Sequence, residues 1–171
     1  LNKYTQDEFI PVYYWSHAVI AQDWFRFARN VQWRKQVDKR FLIYNRAWIG
    51  SREYRLKFAD LLVEQDLINS CQTYFNPIDH STHYQNYQYA NVNFKPVHQL
   101  ENYFAPTQAT SCYSADFEIA DYNSTEWEVV LETLFDDDRT HLTEKSLRPI
   151  ACNQPFILAA TPGSLEYLKR Y

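Results

Sequence analysis

The sequence predicts an α/β fold in which helices flank a mostly parallel sheet. Short apolar runs alternate along the chain with stretches in which apolar residues recur every three or four positions. Strands that are apolar throughout are typical of parallel sheets covered by helices on both faces. With 171 residues and 46% hydrophobic residues, the chain is long enough to form one domain with a sizeable core.

The first forty residues predict a helical lead-in that is rich in aromatic rings. Apolar positions between residues 16 and 32 recur at helical spacing, and Ser16 is a candidate N-cap. We therefore divide the chain into this lead-in, residues 1–40, and an α/β domain, residues 41–171.

Residues 41–75 predict a strand–helix–strand unit. An apolar run at 41–44 is followed by a helical pattern over 51–66, with Ser51 as its N-cap, and by a second strand at 71–75. The unit is about thirty-five residues long, the size of a crossover between two parallel strands.

Periodicity is weak over residues 76–125, where we expect short helices or turns because long structureless loops are uncommon in compact domains. It returns with a strand at 127–131, a helix at 143–152 and a strand at 155–160. A last helix is expected to open at Thr161, with Pro162 at its first position.

Composition excludes several classes of protein. The 17 basic and 21 acidic residues give a net charge of -4 and are spread along the chain, which argues against a nucleic-acid-binding face. With only 2 glycines, the sequence has neither a G-x-G-x-x-G dinucleotide loop nor a P-loop. No apolar run approaches the ~20 residues of a membrane span.

The cysteines and the N-terminus predict a cytoplasmic protein. Cys71, Cys112 and Cys152 are odd in number and lack C-x-x-C spacing, so we expect reduced thiols. No signal-peptide pattern is present at the N-terminus. Because the chain begins with Leu1 and contains no Met, we expect it to be part of a longer protein.

Unusual polar residues follow two of the predicted strands, where parallel sheets bind ligands. They are Asn45, Arg46 and Arg52 after the first strand, and Glu132, Thr133, His141, Thr143, Glu144 and Lys145 after the strand at 127–131. A lysine in the first turn of a helix opposes the helix dipole. An anionic ligand such as a diphosphate would explain Lys145, and Glu144 could then accept hydrogen bonds from a ribose.

Each of these features also has a simpler interpretation. Thr143 and Glu144 can be an ordinary capped helix start, and Arg46 and Arg52 can be surface charges. The acidic run 136–138 could hold a metal ion, but it lacks a supporting glycine turn, so we predict a solvated loop. His80 and His83 could form half of a zinc site, but no Cys or second His pair completes it, so we interpret them as a loop feature.

The segment "VVLETLFDDDRTHLTEKSLRPIACNQPFILAATPGSL" resembles the donor-binding core of the family 10 glycosyltransferases, the α1,3-fucosyltransferases. In that family a strand ending in Phe-Glu-Asn leads to a Thr-Glu-Lys triplet at a helix start, which Glu132-Thr133 and Thr143-Glu144-Lys145 resemble. The strand at 41–44, Asn45 and Arg52 resemble an upstream signature. The resemblance covers residues 41–66 and 127–168.

The resemblance implies one half of a GT-B enzyme, a Rossmann-like domain over residues 41–171 that binds a nucleoside diphosphate sugar. It implies that Glu144 binds the ribose, that Arg52 and Lys145 bind the diphosphate, and that a metal or other cofactor is not needed. The donor is a substrate, with a GDP-sugar as one candidate, and the acceptor is not indicated. The catalytic base of such enzymes lies on the other half, so no catalytic residue is assigned.

A second hypothesis belongs to a different class of protein. The chain could be a structural or binding module that retains the fold without turnover, as one part of a larger assembly. Its many aromatic rings, 18% of the residues, would then contact partners or glycans.

Overall fold

A four-stranded parallel sheet forms the centre of the computed structural model, which describes residues 16–45, 50–75, 78–79, 82–83, 96–103 and 117–170. The predicted parallel α/β fold with flanking helices is confirmed. The strands of this sheet are β1 (Lys39–Asn45), β2 (Cys71–Phe75), β5 (Thr125–Leu131) and β6 (Phe156–Ala159), in the order β2-β1-β5-β6. Two short strands, β3 (Ile78–Asp79) and β4 (Thr82–His83), pair antiparallel to each other.

Five α-helices accompany the strands in the described part of the chain: α1 (Ser16–Ala28), α2 (Tyr54–Glu64), α3 (Ile119–Ser124), α4 (Glu144–Ala151) and α5 (Ser164–Leu168). Short 3₁₀ helices span Gly50–Arg52, Ile68–Ser70 and Leu100–Tyr103. None of these helices combines the length and the apolar character that crossing a membrane requires.

Successive residues of a strand point to opposite faces of the sheet, so both faces carry side chains. Different helices bury the two faces. On one face Ile43, Phe75 and Leu131 pack with Leu56 and Ala59 of α2. On the other face the core is smaller and contains Leu42 with Tyr122 and Cys152. Helix α1 packs against α4 through a third cluster that includes Trp24 and Leu147. The boundary that we place at residue 40 stays a prediction.

The strand order creates a topological switch point between β1 and β5. From β1 the chain passes through α2 to β2 on one side, and β5 then pairs with β1 on the opposite side. Loops that leave the carboxyl ends of β1 and β5 therefore diverge toward opposite halves of the sheet. In open α/β folds this is where a ligand crevice forms.

Two predicted helix starts are wrong. Ser51 does not cap α2, because it lies within a 3₁₀ helix, and α2 begins at Tyr54 after Glu53. Thr161 does not begin the last helix, since α5 starts at Ser164 after Gly163, whose φ of 81° is left-handed. The Thr161 hydroxyl instead donates to the Arg139 carbonyl at 3.1 Å.

The remaining predicted helices and strands differ from the observed ones only at their ends. The predicted helix over 16–32 ends at Ala28, and the strand predicted at 127–131 begins two residues earlier, at Thr125. Within 76–125 the described residues form the expected short helices and also two short strands, β3 and β4, that the sequence does not predict. The other residues of that region lie outside the described part.

Cys71 and Cys152 are free, buried thiols, as predicted, and Cys112 lies outside the described residues. Burial raises the pKa of Cys71 to about 11, against a small opposing effect of the Lys39 charge. Burial, and then the nearby Glu128 carboxylate, raise the pKa of Cys152 to about 12. Both thiols are therefore held in the unreactive protonated form at neutral pH.

We expect iodoacetamide at pH 8.5 to leave Cys71 and Cys152 unmodified in the folded chain and to modify both in urea, measured by peptide mass spectrometry. In the unfolded chain a thiol ionises near pH ~8.5. Because the folded thiols bind their protons up to a higher pH, stability should fall as the pH rises from about 8.5 to about 11. Modification of either thiol at similar rates with and without urea would contradict this.

Candidate functional site

The carboxyl ends of β1 and β5 are joined by a buried arginine of α2. Nη1 of Arg55 donates to Oδ1 of Asn45, the last residue of β1, at 3.2 Å. Its Nη2 donates to the Leu131 and Glu132 carbonyls, at the end of β5, at 2.7 and 3.0 Å. Burial lowers the pKa of Arg55. A cation is thus fixed at the switch point of the sheet.

The buried carboxylate of Glu132 fixes the start of α4 to the end of β5. Its Oε1 accepts from the Thr143 N–H at 3.0 Å and from the Ser146 hydroxyl. Its Oε2 accepts from the Thr143 hydroxyl at 2.7 Å and from the Thr133 N–H at 3.2 Å. Thr143 is the N-cap residue of α4, so the predicted helix start is confirmed at this position.

Lys145 lies in the first turn of α4, where its charge adds to the positive end of the helix dipole. Its Nζ is 2.9 Å from Oγ1 of Thr143 and 3.5 Å from Oε1 of Glu144. Burial lowers the pKa of Lys145, against the opposing effects of the Glu132 and Glu144 carboxylates. Three predicted site residues, Thr143, Glu144 and Lys145, are therefore brought together with Glu132.

Asn45 carries a polar group that is buried without an acceptor. The residue is only 2% exposed, and its Nδ2 has no hydrogen-bond partner in the described part of the chain. A buried amide without a partner costs about 1–3 kcal/mol. Since Oδ1 of the same amide contacts Arg55, the Nδ2 donor lies beside the cation, where an anionic ligand could accept its hydrogen bond.

Of the other predicted residues, the structure places Arg52 and Thr133 beside this centre. Arg52 is half-buried in the 3₁₀ helix before α2, close enough to Arg55 for its charge to add to the lowering of the Arg55 pKa by burial. Thr133 is half-buried, and its backbone contacts Glu132. His141 is exposed in the loop before α4, and Arg46 lies outside the described residues.

A pair of aromatic rings flanks the polar centre. The Tyr54 hydroxyl donates to the Glu132 carbonyl at 2.7 Å and lies 3.4 Å from the Ala159 carbonyl at the end of β6. Its ring stacks on that of Phe135, with centroids 4.5 Å apart and planes 18° apart. Burial raises the pKa of Tyr54 to about 12, so the hydroxyl keeps its proton.

The acidic run 136–138, which follows β5, contains a local ion pair. Arg139 donates to Asp137 through Nε at 2.9 Å and Nη2 at 2.6 Å. Hydrogen bonds from Arg139 lower the pKa of Asp137 to about 2. Within the described ranges, no group of three or more His, Cys, Asp or Glu side chains is placed to hold a metal ion. His80 and the side chain of His83 lie outside those ranges.

Sequence reasoning missed Arg55 and a buried ion pair behind the site. Nη2 and Nε of Arg148, on α4, donate to Oε1 of Glu128 in β5, and Nε also donates to the Tyr122 hydroxyl at 3.1 Å. A sequence signal existed, since Glu128 interrupts an apolar strand and Arg55 shares the helical stripe of Ala59 and Leu62. A charge in such a position needs a buried partner.

Comparison of the chain with protein-family models, with curated proteins and with solved structures gives no match. What the site does must therefore be inferred from its own residues. These residues form a buried cationic centre at the switch point, beside a helix N-terminus and an aromatic pair.

Proposed function

We propose that the chain is the donor-binding domain of a glycosyltransferase, which transfers a sugar from a nucleoside diphosphate sugar to an acceptor. The observation that carries this proposal is that Glu132, directly after β5, links both cations. Its carbonyl accepts from Arg55, and its carboxylate accepts from the Thr143 cap of α4, which Lys145 contacts. Two cations and a helix dipole that lie close together at the end of the sheet favour a doubly charged anion, and a diphosphate is such an anion.

The same groups account for the chemistry that a glycosyl transfer requires. When the bond between the sugar and the diphosphate breaks, negative charge increases on the leaving diphosphate. Cations held in a site of low water content stabilise that charge without having to reorganise. Lys145 is held by Thr143 and Glu144, and Arg55 by Asn45 and two carbonyls, so both are fixed before a ligand arrives.

The remaining polar groups suit the nucleoside part of the donor. Glu144 is an acceptor beside Lys145 and would bind the ribose hydroxyls, since carboxylates accept two hydrogen bonds from neighbouring hydroxyls. The unpartnered Asn45 amide would donate to a phosphate oxygen. Arg52, half-buried before α2, would supply a further charge. A GDP-sugar is one candidate donor.

A second function is favoured by the internal partners of the cations. Because Lys145 and Arg55 already contact oxygens of the chain, the network can close the end of the sheet without a ligand. A structural or glycan-binding module that keeps the fold without turnover would need nothing more. Such a module would bind neither GDP nor UDP.

Calorimetric titration with GDP and UDP separates the two functions. We expect one nucleotide to bind the folded chain, and Lys145→Ala to weaken its binding by at least about ten-fold, or about 1.4 kcal/mol, because a cation near the diphosphate is lost. Lys57→Ala, which removes an exposed lysine from α2, should leave the affinity unchanged. Absence of binding by the folded wild type would overturn the donor-site proposal and support the module.

A further inference from the structure

We infer that the nucleobase of the donor stacks on the outer face of the Phe135 ring, which we call the base seat. This inference rests on the proposed function, because it assigns the part of the donor that the cationic centre leaves unbound. Phe135 follows β5 in the loop that leads to α4, and 43% of its surface is exposed although it stacks on Tyr54. An aromatic ring with one covered face and one open face is a platform for a second planar ring.

The aromatic pair is fixed to the same backbone atom as the cationic centre. The Glu132 carbonyl accepts from both the Tyr54 hydroxyl and Nη2 of Arg55. Tyr54 and Arg55 are also neighbours in the first turn of α2. A ligand that reaches from the cations to Phe135 must therefore be anionic at one end and planar at the other, with a short connection between them. Nucleoside diphosphates have this arrangement.

Charges around Phe135 decide which end of the ligand it receives. Asp136 and Asp138, both exposed, lie one and three residues after Phe135 in the sequence. They would repel a phosphate group, whereas they could accept hydrogen bonds from the ring N–H and amino groups of a base. The loop thus favours the base over the phosphates, while Lys145 and Arg55 have the opposite preference.

The alternative is that Phe135 only covers Tyr54. A covering side chain needs apolar surface but no aromatic ring, so leucine should replace it without a specific effect on nucleotides. A base platform needs the π-face, which leucine lacks and tryptophan enlarges. Phe135→Leu and Phe135→Trp therefore separate the two roles.

The experiment compares GDP, or UDP if that is the nucleotide that binds, with inorganic pyrophosphate, which lacks the base and the ribose, by calorimetry on the folded chain. We expect Phe135→Leu to weaken GDP binding at least about five-fold and to leave pyrophosphate binding within about two-fold of wild type. Phe135→Trp should retain GDP binding. Phe25→Leu, at a ring that is 38% exposed on α1, is the matched control and should change neither affinity.

The outcomes distinguish this inference from the proposed function. If Phe135→Leu binds GDP as tightly as wild type while Lys145→Ala does not, the base seat is wrong and the donor site stands. If Phe135→Leu weakens pyrophosphate and GDP equally, the ring supports the site as a whole and the base seat is again wrong. If folded wild type binds neither GDP nor UDP, both proposals are overturned.

Discussion

Replacing Arg148 with methionine is expected to lower the free energy of unfolding by about 3–5 kcal/mol. Arg148 is 2% exposed, and Glu128, which accepts its hydrogen bonds, is 0% exposed. Methionine fills a similar volume but leaves the Glu128 carboxylate buried without its cation. An uncompensated charge in that position is far more costly than the pair itself. Urea unfolding monitored by tryptophan fluorescence measures the change.

A double variant that removes both charges completes a mutant cycle with Arg148→Met. In Glu128→Leu/Arg148→Met neither position carries a buried charge, so we expect stability to recover by at least about 2 kcal/mol relative to Arg148→Met alone. Part of the deficit should remain, because the Tyr122 hydroxyl loses the carboxylate that accepts its hydrogen bond.

Arg26→Met is the matched control for this cycle. Arg26 is exposed on α1, where it pairs with Asp23 at 3.2 Å, and exposed pairs contribute at most about 1 kcal/mol. Equal costs for Arg148→Met and Arg26→Met would show that burial does not strengthen the effect. A double variant less stable than Arg148→Met would show that the removed side chains stabilise the fold by packing rather than by charge.

The location of Arg148 also bears on the site. It lies on α4 one turn after Lys145, and its guanidinium lies 4.4 Å from the centre of the Tyr44 ring in β1. The ion pair with Glu128 and the contact with Tyr44 therefore hold α4 against the two strands that define the switch point. Loss of Arg148 should loosen the helix that carries Lys145, even though Arg148 itself contacts Glu128, Tyr122 and Tyr44 rather than the site residues.

The sequence predicts the sheet well because its strands are short apolar runs. The strand predicted at 71–75 has the bounds Cys71–Phe75, and β5 and β6 lie within two residues of their predicted ends. The parallel pairing of β1 with β2 and of β5 with β6 also follows from the sequence, since a helical pattern separates the strands of each pair. Buried apolar side chains decide these elements, and their periodicity is a local property that a single sequence contains.

Helix starts were harder to predict because their signals depend on a few residues. Ser51 and Thr161 have suitable side chains for N-caps, but a 3₁₀ helix and a left-handed Gly163 move the starts of α2 and α5 further along the chain. At Thr143 the prediction is right, since the carboxylate of Glu132 and the hydroxyl of Ser146 reinforce the cap. A tertiary contact therefore separates the correct prediction from the two wrong ones.

The site itself was only partly predictable. Lys145 is predicted as a site residue because it violates a local preference of helix first turns, and the structure places it in contact with Thr143 and Glu144. Arg55 was missed, since its hydrogen bonds go to Asn45, Leu131 and Glu132, and the last two lie more than seventy residues away, with separations of 76 and 77 residues. No periodicity or spacing reveals a contact between a helix and a strand end at that distance. The charge alone indicates only that a buried partner must exist.

Substituting Glu132 with glutamine is expected to lower the free energy of unfolding by about 2–4 kcal/mol. The carboxylate accepts from the Thr143 N–H, the Thr143 and Ser146 hydroxyls and the Thr133 N–H. Glutamine has the same shape, but one oxygen is replaced by an NH₂ group. This group is a donor and cannot accept a hydrogen bond from the N–H group that faces it. At least one buried donor of α4 or its cap then loses its partner.

Glu126→Gln is the matched control, because Glu126 lies on β5, the strand that Glu132 directly follows, but is exposed. We expect it to stay within about 0.5 kcal/mol of wild type in the same urea titration. If Glu132→Gln were equally neutral, the carboxylate would not be what fixes α4 to β5. If it were destabilising as expected, and GDP restored stability less than in wild type, then the capping of α4 and the binding of the diphosphate would depend on the same positioned helix end.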